Sequence, residues 1–344
     1  MRVAVVILNW NTVQYLERWL PGLLGSISPA DEVIVADNGS ADGSLQMMER
    51  RFPAVRTIDL GKNLGFTGGY NAALSQIDAD YYVLANSDVD FEPGWLDPLV
   101  RWMDGHPRCA ACGPKIHALS ADGGRTSRFE YAGAAGGFID RFGFPFCRGR
   151  VLGRTEEDRG QYDDTDCSCL WVSGACMMVR SSVWKALGGL DDRFFAHMEE
   201  IDFCWRAALA GYSVSVVPES VVWHLGGGTL PQGSPFKLKL NFRNNLLLLD
   251  NNLAATVGVR RASFIIAARK FIDLLLAFAY FVTLRPSQSG AVLSAHREYA
   301  SMRRSRGGSG TTKVKGYMKL CIVPLALVRG GRIFSYLKKY ENNH

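Results

Sequence analysis

Asp88-Val-Asp90 sets two carboxylates at i and i+2 directly after an apolar run, Tyr81–Ala85. Carboxylates so spaced past a strand can hold a hard divalent cation, directly or through water, and leave positions open for phosphate oxygens. An isolated pair of this kind is weak evidence, because loop aspartates are usually only solvated. It gains weight from company. Asn9 and Asn11, then Asp37 and Asn38, also stand just past short β-branched runs, and a further acidic group, Glu199-Glu-Ile-Asp202, opens a helical pattern. Acids at a helix start also suit the macrodipole, so Glu199, Glu200 and Asp202 have a structural explanation beside a chemical one.

The elements that must position these residues alternate. Arg2–Leu8 reads as a buried strand, and 13–25 as a helix with Val13, Leu16, Leu20, Leu23 and Leu24 at helical spacing and Gly25 as its stop. Glu32–Ala36, Val55–Asp59 and Tyr81–Ala85 read as strands, with helices over Leu45–Arg51 and from Gly68 to Gln76. Strand–helix repetition with short loops predicts an α/β fold around a mostly parallel sheet covered on both faces. Ligands in such sheets bind beyond the carboxyl ends of the strands, where the three polar clusters converge. Further on, Glu92–Met103 reads as a helix, Cys109–Ile116 as a strand, Ser181–Leu187 and Glu200–Ala210 as helices and Ser213–Val217 as a strand. The stretch 120–168 is rich in Gly, Arg and Asp and reads as loops. The expected division is 1–245, with a first half at 1–90 and a second half at 91–245, followed by a helical, basic extension at 246–344.

Seven segments carry a family resemblance. They are Val5-Val-Ile-Leu-Asn-Trp-Asn11, Val33-Ile-Val-Ala-Asp-Asn-Gly-Ser-Ala-Asp42, Asn63-Leu-Gly-Phe-Thr-Gly-Gly-Tyr-Asn71, Leu84-Ala-Asn-Ser-Asp-Val-Asp90, Trp171-Val-Ser-Gly-Ala175, Gly188-Gly-Leu-Asp-Asp-Arg-Phe-Phe195 and Glu199-Glu-Ile-Asp-Phe-Cys-Trp-Arg206. In this order, over residues 2–250, they resemble glycosyltransferase family 2, most closely its rhamnosyltransferase-like branch in bacterial surface-polysaccharide assembly. The resemblance implies a GT-A fold and a nucleotide-sugar donor. By position, Asn9 and Asn11 match the loop near base and ribose, and Asp37 matches the aspartate that pairs with a pyrimidine. Asn38, Ser87, Asn63, Gly65, Gly68 and Asn71 fall in the donor-lining segments. Asp88 and Asp90 match a metal-binding Asp-x-Asp that takes Mg²⁺ or Mn²⁺, and His224 matches the histidine that completes that site in several members. Glu200 matches the second acid of a paired-acid motif that supplies the general base. Many relatives have Glu-Asp where this chain has Glu199-Glu200, so either acid can be the base, with Asp202 orienting its neighbours.

Transfer from a nucleoside-diphosphate sugar requires neutralised leaving-group charge, a deprotonated acceptor hydroxyl and the two held in line. A cation supplies the first as a Lewis acid and a carboxylate the second. One base and a single displacement imply inversion at the anomeric carbon. The donor expected is dTDP-rhamnose or a UDP-sugar, and the acceptor a glycan or lipid-linked saccharide. Arg243 suits a diphosphate contact and equally a helix surface. Two other readings remain. A non-catalytic protein that keeps the fold would bind nucleotide sugar without turnover. A nucleotidyltransferase would need a glycine-rich loop followed by Arg and Lys near the N terminus, and Ile7–Gln14 has neither. The glycines of Gly61-Lys-Asn-Leu-Gly65 are misplaced for a dinucleotide fingerprint, which excludes a Rossmann dehydrogenase.

With 344 residues, 47% apolar and 21% charged, the chain can bury a sizeable core and is neither disordered nor a disulfide-stapled scaffold. Its net charge of +6 is uneven: residues 254–344 carry sixteen Lys and Arg against Asp273, Glu298 and Glu341, while the rest is mildly acidic. The basic end, with no recognised nucleic-acid module, points to an anionic membrane rather than nucleic acid. Phe264–Leu284 is apolar but interrupted by Arg269, Lys270 and Asp273, so a full span is not expected. Leu274–Val282, flanked by Arg260, Arg261 and Arg285, either buries one face in a membrane interface or packs on the catalytic domain. The N terminus enters a strand directly, without a signal peptide, and Cys109-Ala-Ala-Cys112 lacks a second ligand pair for zinc. Free thiols and the cytoplasmic face of the inner membrane are the expected setting.

Overall fold

In the computed structural model the N-terminal apolar run forms β1 (Val3–Asn9), buried at nearly every position in the middle of the central sheet. The structure describes residues 1–163, 167–226, 233–304 and 311–342. The sequence has a glycine run at 226–228, of which 227 and 228 lie outside them, and a glycine/serine break at 305–310, which lies outside them entirely. The helix α1 (Val13–Ser26) follows, burying Leu16, Trp19, Leu20 and Leu23. It runs through Pro21 rather than ending there. An internal proline costs about 3 kcal/mol, and four large apolar side chains, at about 1.5–3 kcal/mol each, outweigh it.

The first half continues as β2 (Glu32–Asp37), α2 (Ser44–Arg51), β3 (Arg56–Asp59), α3 (Gly65–Leu74) and β4 (Tyr81–Ala85). All pairs here are parallel, in the order β4-β1-β2-β3. Register aligns Asn9 with Asp37 at the carboxyl edge, so the predicted convergence of polar strand ends is built by backbone pairing. Tyr81–Ala85 falls as the periodicity suggests, and the other boundaries shift by at most three residues.

The second half begins with β5 (Val89–Phe91), α4 (Leu96–Gly105) and the long β6 (Cys109–Leu119). Here the stretch read as loops corrects that expectation. Residues 120–168 contain β7 (Arg125–Phe129), β8 (Gly137–Asp140), β9 (Pro145–Cys147), β10 (Arg150–Val151) and β11 (Arg154–Thr155). Four of them form a second, smaller sheet. Strands of two to five residues are too short for a period of two to show, and their glycines mimic loop breakers. Gly137 is needed because a Cβ there would stand 2.0 Å from the Trp171 ring.

Next come β12 (Ser168–Cys169), β13 (Cys176–Arg180), α5 (Ser181–Leu187), α6 (Glu199–Leu209) and β14 (Ser213–His224). Antiparallel pairing enters the central sheet at β13, between β4 and β6. The strand β14 continues past Pro218 through an irregularity between Val217 and Val221, where a residue lacking an N–H is tolerated. Cys109 and Cys112 are buried in β6, and all eight cysteines are free thiols.

The C-terminal region is helical: α7 (Pro235–Val257), α8 (Val259–Val282) and α9 (Pro286–Met302). Helix α7 runs unbroken across residue 245. After β15 (Tyr317–Met318) come α10 (Ile322–Arg329) and α11 (Ile333–Asn342). Strand β15 pairs in parallel with β8, closing the small sheet, and Ile322 donates its N–H to Asp140. Glu341 pairs with the buried Arg148 at 2.8 Å. The basic extension is thus folded onto the small sheet and the residues around it.

Candidate active site

At the carboxyl edge of β1 and β2, Asn9 Nδ2 donates to Asp37 Oδ2 (2.8 Å) and to Ser40 Oγ (3.0 Å). The other oxygen of Asp37 accepts from the N–H groups of Gly39 and Ser40. Three charge-assisted bonds fix this buried carboxylate in place. Thr12 donates to Asn9 and lies 2.8 Å from Ser87 Oγ, which ties the end of β4 to the same cluster. Asn11, exposed and at φ 54°, caps the Asp37–Ala41 turn by accepting from Ala41 N–H. Asn9, Asn11, Asp37 and Ser87 are therefore one connected polar edge.

The other donor-segment residues act one layer back. Asn38 accepts from Leu64 N–H and donates to Asn63 and to Gly65 O. Asn71 holds the 190–192 turn by donating to Leu190 O and Asp192 and accepting from Leu190 N–H. Gly68 lies in α3 with a Cβ position 3.1 Å from Leu64. Gly65, at φ +74°, lets Phe195 approach so closely that a Cβ would stand 2.5 Å from its ring.

His224 meets Asp88 because β14 pairs antiparallel with β5, His224 opposite Val89. His224 Nε2 lies 3.1 Å from Asp88 Oδ1 and 3.4 Å from the Asn86 amide nitrogen. Its Nδ1 faces Glu130 Oε2 at 3.4 Å. All but Asn86 are buried. Burial opposes charge on His224, yet the two carboxylates hold its pKa well above the usual imidazole value. Burial likewise works against Asp88 and Glu130, and the imidazolium outweighs it, holding both below their usual range.

Asp90 is not brought to this cluster. It sits in β5 opposite Trp223 and pairs with Arg125 at 2.7 Å, the guanidinium lying over the Trp223 ring. A strand turns successive side chains to opposite faces, but Asp88 precedes β5 while Asp90 is inside it. Asn86 and Glu130 were not singled out in the sequence. Asn86 holds the position two before Asp88, and an amide there does not read as a ligand. Glu130 follows a short strand in the stretch read as loops.

No group of three His, Cys, Asp or Glu side chains among the described residues is arranged to hold a metal ion unaided. The carboxylate, imidazole and amide nevertheless fit one with outside ligands. Their 3.1–3.4 Å separations match the roughly 3 Å between neighbouring ligands of six-coordinate Mg²⁺, and an amide turned by 180° presents its oxygen.

Glu199 and Glu200 open α6. The chain approaches through Phe195, His197 and Met198, all at positive φ, a conformation that costs about 1–2 kcal/mol per residue. Asn244 of α7 holds it there, its amide donating to Phe194 O, Ala196 O and His197 O. Phe66 and Thr67, at the start of α3, donate to Phe195 O. Each glutamate keeps one buried oxygen without a hydrogen-bond partner. Burial pushes Glu200 up to about 7. Burial and the neighbouring Glu200 push Glu199 well above the carboxylate range. A Cβ at Gly174 would lie 3.6 Å from Glu200 Cβ, and Asn86 N–H donates to the adjacent Ala175 O (2.9 Å). Glu200 thus stands beside the cluster at the end of β4.

Asp202 and Arg243 are engaged in structure. Asp202, fully buried, accepts from Arg206, Asn251 and Asn252, locking α6 to α7. Arg243 donates to Phe194 O, Asn244 and Glu298. Its guanidinium holds the strained approach rather than facing the donor edge.

A family model described as glycosyl transferase family 2 matches residues 4–180. An N-acetylglucosaminyl-diphospho-decaprenol L-rhamnosyltransferase of Mycobacterium tuberculosis is 32% identical over 233 residues, 64% of this chain and 75% of the relative. Among solved structures, GalNAc-T7 with UDP, GalNAc and Mn²⁺ superposes with TM-score 0.56 at 16% identity, over 71% of this chain and 47% of that one. The mannosyltransferase PcManGT of Pyrobaculum calidifontis, with GDP-Man and Mn²⁺, gives 0.54 at 14% identity over 99% and 84%. These two likenesses show a GT-A fold.

Proposed function

The chain belongs to glycosyl transferase family 2, a glycosyl-transfer enzyme, and we propose that it is inverting and cation-dependent. The donor is a pyrimidine nucleoside-diphosphate sugar, dTDP-rhamnose or a UDP-sugar. The acceptor is a glycan or lipid-linked saccharide in cell-surface polysaccharide assembly at the cytoplasmic face of the inner membrane. The observation that carries this reading is the place of Glu200: a half-buried side chain with one buried, unpartnered carboxylate oxygen, beside the Asn86/Asp88/His224 cluster at the strand ends, its carboxyl pushed up to about 7 by desolvation. The rhamnosyltransferase relative supports the rhamnosyl donor and the diphosphate-lipid acceptor, and the Mn²⁺ complexes of the two structural neighbours support the cation.

Asn9, Asn11, Asp37 and Ser87 bind the nucleoside, with Asp37 presenting a fixed acceptor to a pyrimidine N3–H. Asn38, Asn63, Gly65, Gly68 and Asn71 hold the loops around it. Glu200, in its carboxylate form, takes the acceptor hydroxyl proton. The acceptor oxygen then bonds the anomeric carbon from the face opposite the diphosphate, which leaves with the electron pair of the broken C–O bond. Burial raises both Glu199 and Glu200, so the pair holds a single negative charge, and we assign that charge to Glu200. Asp88, the Asn86 oxygen and His224, its Nε2 giving up the proton it carries in the ion pair with Asp88, would hold Mg²⁺ or Mn²⁺, which would supply Lewis-acid neutralisation of the leaving diphosphate when bound.

Incubating the chain with dTDP-rhamnose and a polyprenyl-diphosphate saccharide tests the reading by the anomeric configuration of the product. Inversion relative to the donor is expected. A retained anomer would remove Glu200 from the role of base in a single displacement.

A further inference from the structure

We propose that the outer face of α8 is a bilayer-docking surface that lays this helix in the headgroup region of an anionic membrane. From Phe271 to Leu284 the exposed side chains include Phe271, Leu275, Phe278, Phe281, Val282 and Leu284, between 54% and 89% accessible. Phe271, Leu275, Phe278 and Val282 recur at four, three and four residues, so they form one stripe along the helix. The stripe runs for about 17 Å of helix. Isolated exposed apolar residues are ordinary, but a continuous face of this size on a soluble surface marks an interaction site.

No charge interrupts it. The one ionisable acid within the stretch, Asp273, points inward and pairs with Arg269 (2.8 Å) and His296 (3.3 Å). Exposed arginines bracket the stripe, Arg260 and Arg261 at the start of α8 and Arg285 just past its end. Further exposed arginines, Arg297, Arg303 and Arg304, lie on and after α9. Across residues 254–344 the only other acids are Glu298, paired with Lys239 and Arg243, and Glu341, paired with Arg148. An apolar face rimmed by cations, with every nearby acid already neutralised, is complementary to acyl chains beneath anionic headgroups. A second copy docked through the same face would set arginine rim against arginine rim with no acid of this region to answer it.

The helix has no stretch long and apolar enough to cross a membrane, as holds for every described helix. Its buried side reaches the active site in two steps. Arg269 donates to Asn245 Oδ1 (2.5 Å), and Asn245 donates to Gly143 O and lies 3.8 Å from Met198 Sδ, the residue before Glu199. A membrane-bound α8 therefore fixes the catalytic loop relative to the lipid surface. The inference stands on surface composition and needs no step of the proposed chemistry.

Flotation of the full chain with phosphatidylcholine vesicles, with and without phosphatidylglycerol, tests it. The wild type is expected to float with the anionic vesicles. Phe271→Ser combined with Phe278→Ser should weaken this roughly tenfold or more, and Arg260→Glu with Arg261→Glu should remove the preference for anionic lipid. Nucleotide binding and the melting curve, unchanged in both, show that the fold is intact and separate this result from any failure of the activity reading. A wild-type chain that does not float, or floats equally after both pairs of substitutions, overturns the proposal. So does sedimentation showing a dimer that the phenylalanine substitutions split, which would make the face a contact between copies.

Discussion

His224 Nε2 lies 3.1 Å from Asp88 Oδ1 across the antiparallel pairing of β14 with β5. Asp90, two residues from Asp88, is instead paired with Arg125. The two aspartates of one short motif thus do different work. Asp88→Ala or His224→Ala is expected to abolish Mn²⁺-dependent nucleotide binding. Asp90→Asn should leave it within about threefold, since it loses only a half-exposed ion pair worth about 1 kcal/mol or less. Calorimetric titration of nucleotide with and without Mn²⁺ reads the difference.

The adjacent glutamates should separate as sharply. Glu200→Gln removes the base and is expected to lower kcat by about 10²–10⁴-fold. Glu199→Gln replaces an acid that is already protonated and should keep activity within about threefold, because a neutral amide stands in for a neutral carboxyl. Equal losses in the two variants would contradict the assignment of the base.

The pH dependence has opposite signs for rate and stability. Catalysis needs ionised Glu200, so kcat/KM should rise with pH and level off above about 7. Both carboxyl groups are raised on folding, so the folded state holds their protons more tightly than the unfolded chain. The Glu200 contribution to stability is complete below the ordinary glutamate pKa and is lost as pH rises through about 7. Urea melts at pH 5 and pH 8, compared with those of Glu200→Gln, should show the variant losing less stability over that interval.

Asp202 and Asn244 are expected to act through structure. Asp202→Ala leaves Arg206, Asn251 and Asn252 without their shared acceptor, at a cost of about 3–5 kcal/mol. Asn244→Ala releases three carbonyls of the strained approach to Glu199, and should lower kcat more than it raises KM for the donor. Thermal unfolding and steady-state kinetics on the two variants check both.

The first half was legible because each of its elements is long enough to show its period and its polar residues follow strands directly. Asn9, Asp37 and Asp88 therefore appear at the predicted edge. What escaped depends on distant pairing. Glu130 reaches His224 because β7 and β14 both pair with β6, contacts that no local pattern encodes. Arg243 read equally as a diphosphate ligand or a surface arginine, and is neither, since α7 packs it onto Phe194 O. The small sheet was hidden by strands of two to four residues, one of them supplied by residues 317–318.

Release of nucleoside diphosphate across a panel of UDP-, dTDP- and GDP-sugars, with Mn²⁺ and with chelator, tests the central claim most directly. The account predicts cation-dependent release from a dTDP- or UDP-sugar, absent in Asp88→Ala. A folded chain that binds none of the pyrimidine nucleotide sugars would contradict it.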